Sequence, residues 1–344
     1  MPESKNLLSL DRRALKEYLR QLNEKDFRVD QILNWLWDKS ENNIENFSNI
    51  PKSLRNLLKE EFYIERIKLE TAQHSADGSI KFLFSLLDGE KVESVYIPDG
   101  ERKTVCVSSQ VGCALGCLFC ATGKLGFKRN LKFYEIAELV RFIRDYVKER
   151  ITNVVFMGMG EPFLNYDEVI RASRLFNDNH TFKIGARKIT LSTSGIIPGI
   201  YRLAEEKEQF KLAVSLNSAI QSKREYLMPI AKKYNLTDLR KAIMYYFTRK
   251  RRWVTFEYIQ IPRLNDGDED IKALEAFIED IPCKINLIPY NPVPGAPFRA
   301  PTEDEIKKFH SKLLKFKYTV TLRKSRGRDI KGACGQLAYL KSKE

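Results

Sequence analysis

Leu15, Leu19 and Leu22 repeat at the spacing of one helix face, and the stretch from Gln31 to Trp37 keeps the same apolar rhythm. Pro51 opens a further helix through Leu54 to Glu61, at a position where a missing N–H costs little. Residues 1–75 therefore read as a small, mostly helical accessory domain, suited either to gripping RNA or to packing. The period then changes. Residues 80–87, 92–97 and 104–108 read as strands, with turns at Asp88-Gly89 and Pro98-Asp99-Gly100. They predict a β-meander extension over residues 76–104.

From residue 105 onward strands and amphipathic helices take turns. The apolar runs at 105–108, 153–157, 188–192, 211–216, 254–259 and 284–288 predict strands, and 133–148 and 238–249 predict helices between them. Six such units imply an α/β fold with a parallel sheet curving into a partial barrel over residues 105–322. Residues 323–344 are left as a C-terminal loop and tail. Chemistry in such barrels gathers where strands end. Cys113 follows the first predicted strand and Gly158-Met159-Gly160-Glu161 the second; Ser192 ends the third and Ser215 the fourth, and Asn291 follows the sixth.

Cys113, Cys117 and Cys120 form a C-x3-C-x2-C cluster. Three thiolates are one short of a closed site, so an iron–sulfur cluster held here keeps one iron open to an outside ligand. A structural zinc site wants a fourth protein ligand, and none of His74, His180 or His310 is close in sequence. A [4Fe–4S] cluster is the expectation, and zinc is the competitor. Cys283, between Pro282 and a predicted strand, reads as a small core residue.

Size and charge narrow the class. The 344 residues are 43% hydrophobic and 30% charged, as in an ordinary soluble protein. No apolar run reaches the roughly 18 residues of a membrane helix, and the first residues lack a secretory pattern, so a cytoplasmic protein with reduced cysteines is expected. Lys and Arg outnumber Asp and Glu by 59 to 45, a net charge of +14 that suits either a polyanionic partner or simple solubility. The runs Arg249-Lys250-Arg251-Arg252 and Arg323-Lys324-Ser325-Arg326-Gly327-Arg328 concentrate that charge, the second just before Cys334.

The cysteine spacing is that of the radical S-adenosylmethionine (SAM) superfamily, and Gly158-Met-Gly-Glu161 resembles its glycine-rich strand end. Cys106-Val-Ser-Ser-Gln-Val-Gly-Cys113, Leu191-Ser-Thr-Ser-Gly195, Ile285-Asn-Leu-Ile-Pro-Tyr-Asn-Pro292 and Gly332-Ala-Cys-Gly-Gln-Leu337 narrow the likeness. From about Lys91 to Leu337 the chain resembles the RlmN/Cfr family of RNA methyltransferases. The resemblance implies a radical SAM barrel in which Cys113, Cys117 and Cys120 hold the cluster. Gly160, Glu161, Ser192, Ser215, Leu216, Asn217 and Asn291 are then expected around SAM. Cys334 is expected to be S-methylated, with Cys106 its partner in a transient disulfide and Glu93 a proton acceptor. The family commonly has histidine where this chain has Asn217, which cannot carry a charge.

The implied reaction joins a methyl group to C2 of adenine in 23S rRNA and in tRNA beside the anticodon. One SAM methylates Cys334; a second, split by an electron from the cluster, starts radical transfer of that carbon. Either Glu93 or Cys106 could take the C2 proton. A flavodoxin-type reductant and a monomer complete the expectation. The related enzymes that methylate C8 share these cysteines, although residues 284–297 look more like the C2 type. A zinc-stabilised RNA-binding protein without catalysis is the alternative of another class.

Overall fold

The computed structural model describes residues 5–323 and 325–338. Its centre is one open ten-stranded sheet. Seven neighbouring strands run parallel, in chain order from Arg102–Cys106 through Asn153–Phe156, Ile189–Thr193, Lys211–Ser215, Val254–Gln260 and Cys283–Pro289 to Thr319–Leu322. Lys91–Asp99, Ile80–Ser85 and Lys68–His74 extend the other edge antiparallel. The radical SAM-type fold and the meander expected from the sequence are both present. Thr319–Leu322 adds a seventh parallel strand to the six expected.

Alternation along these strands divides the interior into two layers. Val105, Leu191, Val214, Phe256 and Leu287 are completely buried in the main hydrophobic core. The intervening positions, Cys106, Ser192, Ser215, Glu257 and Ile288, turn toward the concave side and line two cavities there. Helices such as Phe133–Val147 and Leu236–Lys250 close the convex side; the second is capped by Asn235, whose side chain accepts from the Asp238 N–H. Cys283 is buried in this core, as expected.

The N-terminal helices follow their pattern. Arg12–Gln21 is capped by Asp11, whose side chain accepts from the Ala14 N–H, and it buries Leu15 and Leu19. Phe27–Leu33 continues into a wider π turn at Asn34–Asp38, and Lys52–Glu61 follows Pro51. A buried ion pair joins this module to the barrel: Glu138 receives Arg66 at 2.5 Å and is also held by Arg141 of its own helix at 2.6 Å. One correction concerns its end. Lys68–His74, read above as part of the helical segment, is an edge strand of the large sheet.

Candidate active site

Gln110–Gly112 pairs antiparallel with Phe127–Asn130, and this small hairpin starts and finishes the cysteine loop. Gly112 has φ +74°, and a Cβ there would lie 1.8 Å from the Gly126 carbonyl oxygen, so no other residue fits. Within the loop the Cys113 N–H donates to Gly126 O at 2.8 Å and the Cys120 N–H to Cys117 O at 3.1 Å. The Leu118 N–H reaches across to Leu227 O at 3.0 Å. Backbone bonds therefore fix the loop before any cofactor is considered.

All three thiols line a cavity of about 890 Å³, counting its open mouth. Gly160, Glu161, Ser192, Ser215 and Asn217 also line it, as does Cys334. Gly160 has φ +94° and is pressed against Gln110, where a Cβ would meet side-chain carbon at 2.5 Å. Glu161 is buried. Its carboxylate accepts from the Phe163 N–H at 3.0 Å and the Ser194 N–H at 2.7 Å, tying the second strand end to the third. Burial pushes its pKa up, opposed by those same backbone donors.

Two of the expected SAM-site residues stand apart from the cavity wall. Leu216 is fully buried and contributes backbone, its N–H donating to Glu257 O. Asn291 lies behind the wall, where its Nδ2 donates to Cys334 O at 3.4 Å and its buried Oδ1 has no partner among the described residues. Asn217 lines the cavity, but its side chain is already engaged. Its Oδ1 accepts from the Ile259 N–H at 3.0 Å and its Nδ2 points at Met228 Sδ. Its φ of +57° is one that asparagine tolerates well.

A second, smaller cavity of about 550 Å³ is lined by Cys106, Met157, Arg323, Ser325, Arg326 and Gly332 to Cys334. Cys334 borders both spaces. The geometry thus sets one cysteine between the thiol triad and Cys106. Burial pushes the Cys334 thiol up to about 11 and Cys106 to about 12, while Arg323 acts in the opposite direction on both. Burial outweighs Arg323 at both thiols. Glu93 lines neither cavity. It shares a sheet face with Val95, which pairs with Cys106, and its Oε1 lies 3.3 Å from Lys81. Burial raises its pKa against the pull of Lys81 and of the Ala338 backbone.

Long-range hydrogen bonds deliver Cys334 to this position. The Ala121 N–H donates to Gly335 O at 2.7 Å and the Thr122 hydroxyl to Leu337 O, joining the C-terminal segment to the cysteine loop. Farther back, Asp77 accepts from the Gly327 N–H at 2.9 Å, and Asp329 accepts from the Ser75 hydroxyl at 2.6 Å. The sequence reading missed Glu257, Met157 and Arg224. Glu257 is buried in the cavity wall, bonded to Asn286 at 2.9 Å and 3.8 Å from Arg323. An acid inside the apolar strand Val254–Gln260, in step with Ser215 next door, was the available signal.

The basic runs behave differently from one another. Arg249 is clamped by Glu205, Lys250 by backbone carbonyls and Arg252 by Gln209 at 3.1 Å, so three of the four residues of the first run are engaged within the fold. Arg323 of the second run enters the cavity wall and Arg326 pairs with Asp99 at 3.1 Å, whereas Lys324 lies outside the described residues.

A family model for the radical SAM superfamily matches residues 107–274, and one for the N-terminal domain of ribosomal RNA large subunit methyltransferase matches residues 5–64. The chain is 41% identical over 340 residues to a probable dual-specificity RNA methyltransferase RlmN of Flavobacterium johnsoniae, covering 98% of this chain and 97% of that one. The chain belongs to the RlmN family of radical SAM RNA methyltransferases. An RlmN of Cytophaga hutchinsonii is 42% identical, with 98% and 93% covered. A crystal structure of a radical SAM methyltransferase from Sphaerobacter thermophilus superposes with a TM-score of 0.89 at 38% identity, covering 97% and 99% of the two chains.

Radical SAM enzymes bind a [4Fe–4S] cluster and SAM, and the donor set here fits both. Three soft thiols, suited to iron, face one cavity. Among the described residues no group of three or more Cys, His, Asp or Glu side chains converges as the ligands of a single metal ion. No helix of the described residues is long and apolar enough to cross a membrane.

Proposed function

We propose that this RlmN-family chain methylates C2 of adenine in 23S rRNA and in tRNA, with Cys334 as the carrier of the methyl carbon. The observation that carries this reading is the place of Cys334 in the wall common to both cavities. Cys113, Cys117 and Cys120 hold the cluster. Gly160, Glu161, Ser192 and Ser215 shape the SAM side, Asn217 braces the wall through Ile259, and Leu216 and Asn291 support it from behind. When bound, cluster and SAM supply one-electron cleavage of the sulfonium, which a polypeptide alone cannot perform.

The chain's own residues do the rest. Cys334 loses its proton to accept a methyl group, and Arg323 is the cation placed to favour that loss. The second cavity admits the target adenine between Cys106 and Cys334. Cys106 then attacks the sulfur of Cys334 to free the product, leaving a disulfide that a reductant resolves. Either Cys106, which lines that cavity, or Glu93, on the same face of the sheet, takes the C2 proton. A flavodoxin-type protein serves as electron donor, and the chain acts as a cytoplasmic monomer.

The test is anaerobic turnover on rRNA and tRNA transcripts, with mass spectrometry of the digested RNA. 2-Methyladenine from the wild type, and none from Cys334→Ala, is the expected result. 8-Methyladenine, or equal product from both proteins, overturns the reading.

A further inference from the structure

Arg224 is a buried cation in the helix that packs against the cluster loop, and its surroundings are unusual. It sits in the short helix Gln221–Leu227 and has no solvent exposure at all. Its Nη2 donates to Ser194 O at 2.7 Å and Ser215 O at 3.3 Å, the backbones of two cavity-wall residues. Its Nε and Nη1 have no partner among the described residues, and no carboxylate pairs with it. Gly195 makes room for it, since a Cβ there would lie 3.0 Å from Nη2.

A buried guanidinium without a counter-ion is costly to keep, and natural cores avoid it unless an anion arrives. The anion can be located. The helix that carries Arg224 ends against the cluster loop, where the Leu118 N–H beside Cys117 donates to Leu227 O at 3.0 Å, and the two carbonyls that Arg224 bonds belong to residues lining the cavity with all three thiols. Burial works against the charged form of Arg224, and the Cys117 sulfur favours it. Converting three thiols into metal-bound thiolates brings negative charge to this side of the cavity, and reduction of the centre by one electron adds more.

We infer that Arg224 is a positioning residue whose buried charge balances the anionic cysteine-ligated centre and eases its reduction. The inference rests on the reading that Cys113, Cys117 and Cys120 hold the cluster. A plain structural strut, bracing Ser194 and Ser215, would explain the two hydrogen bonds but not the Nε and Nη1 nitrogens, which face no acceptor among the described residues. Charge balance explains both.

Arg224→Gln keeps a donor for the carbonyls and removes the charge; Arg224→Lys keeps the charge and loses the fork. Wild type and both variants are reconstituted anaerobically, assayed for iron and sulfide, and titrated by EPR for the midpoint potential, without RNA. The cluster-free proteins are melted in parallel. The expected results are a more negative potential in Arg224→Gln, a potential near wild type in Arg224→Lys, and a cluster-free Arg224→Gln that melts at or above wild type. Equal potentials in wild type and a cluster-loaded Arg224→Gln overturn the inference. So does a cluster-free Arg224→Gln that melts well below wild type or fails to fold, because the residue is then a strut. A colourless wild type, free of iron and sulfide, instead sinks the underlying reading of the triad.

Discussion

The cysteine loop and the Cys334 segment meet at one cavity but are built in opposite ways. The loop is local: three thiols lie within eight residues, and the hairpin of Gln110–Gly112 and Phe127–Asn130 closes it. The Cys334 segment is neither helix nor strand. It is held by partners more than 200 residues away, Thr122 at one end and Asp77 and Ser75 at the other. A centre that must hold a cofactor is fixed by its own backbone. A residue that must present a sulfur first to one cavity and then to the other hangs from a few separable bonds.

Breaking the local side should cost the most. Replacing any one of Cys113, Cys117 and Cys120 by alanine is expected to remove iron and sulfide and every activity together. Gly112→Ala should do nearly the same, since its Cβ cannot coexist with the Gly126 carbonyl. Iron analysis after anaerobic reconstitution checks both, and a Gly112→Ala protein with full iron would show that the hairpin does not specify the loop.

On the Cys334 side the next largest effect is one of pH. With the thiol pushed up to about 11, its thiolate fraction rises about tenfold per pH unit below that value, so alkylation of Cys334 in cluster-free protein should grow about a hundredfold from about pH 7 to 9. Peptide mass spectrometry follows the modification. A rate that levels off below about pH 9 would mean that the burial assigned to this sulfur is wrong.

Smaller still are the anchors. Asp77→Ala or Asp329→Ala removes hydrogen bonds worth about 1 kcal/mol each, so Cys334 methylation should fall by about fivefold per bond lost while iron content is unchanged. Loss of iron in either variant would show that the two regions fold as one unit, against the comparison drawn above.

What could be read from the sequence follows the same division. Contiguous signals were legible: the cysteine triad, the helix pattern around Leu15 and Leu19, and Ser192 and Ser215 at strand ends. Lys68–His74 escaped notice because it is an edge strand, with mostly exposed residues and no apolar alternation. Thr319–Leu322 is short and sits after a lysine-rich stretch, so it carries little pattern. Arg224 lies in Gln221-Ser-Lys-Arg-Glu225, which reads as a solvated helical turn. Its burial is permitted by Gly195, a residue on another loop. The structural duty of Asn217 depends on a left-handed backbone and on Ile259, neither of which is written at position 217.

The most direct measurement is the mass of the Cys334 peptide from protein matured with iron and SAM, compared with protein whose triad is replaced by alanine, before and after RNA is added. A methyl group on Cys334 that requires the triad, and whose carbon is later recovered at C2 of adenine, is the predicted result. An unmodified Cys334 in protein that still methylates RNA would contradict the account.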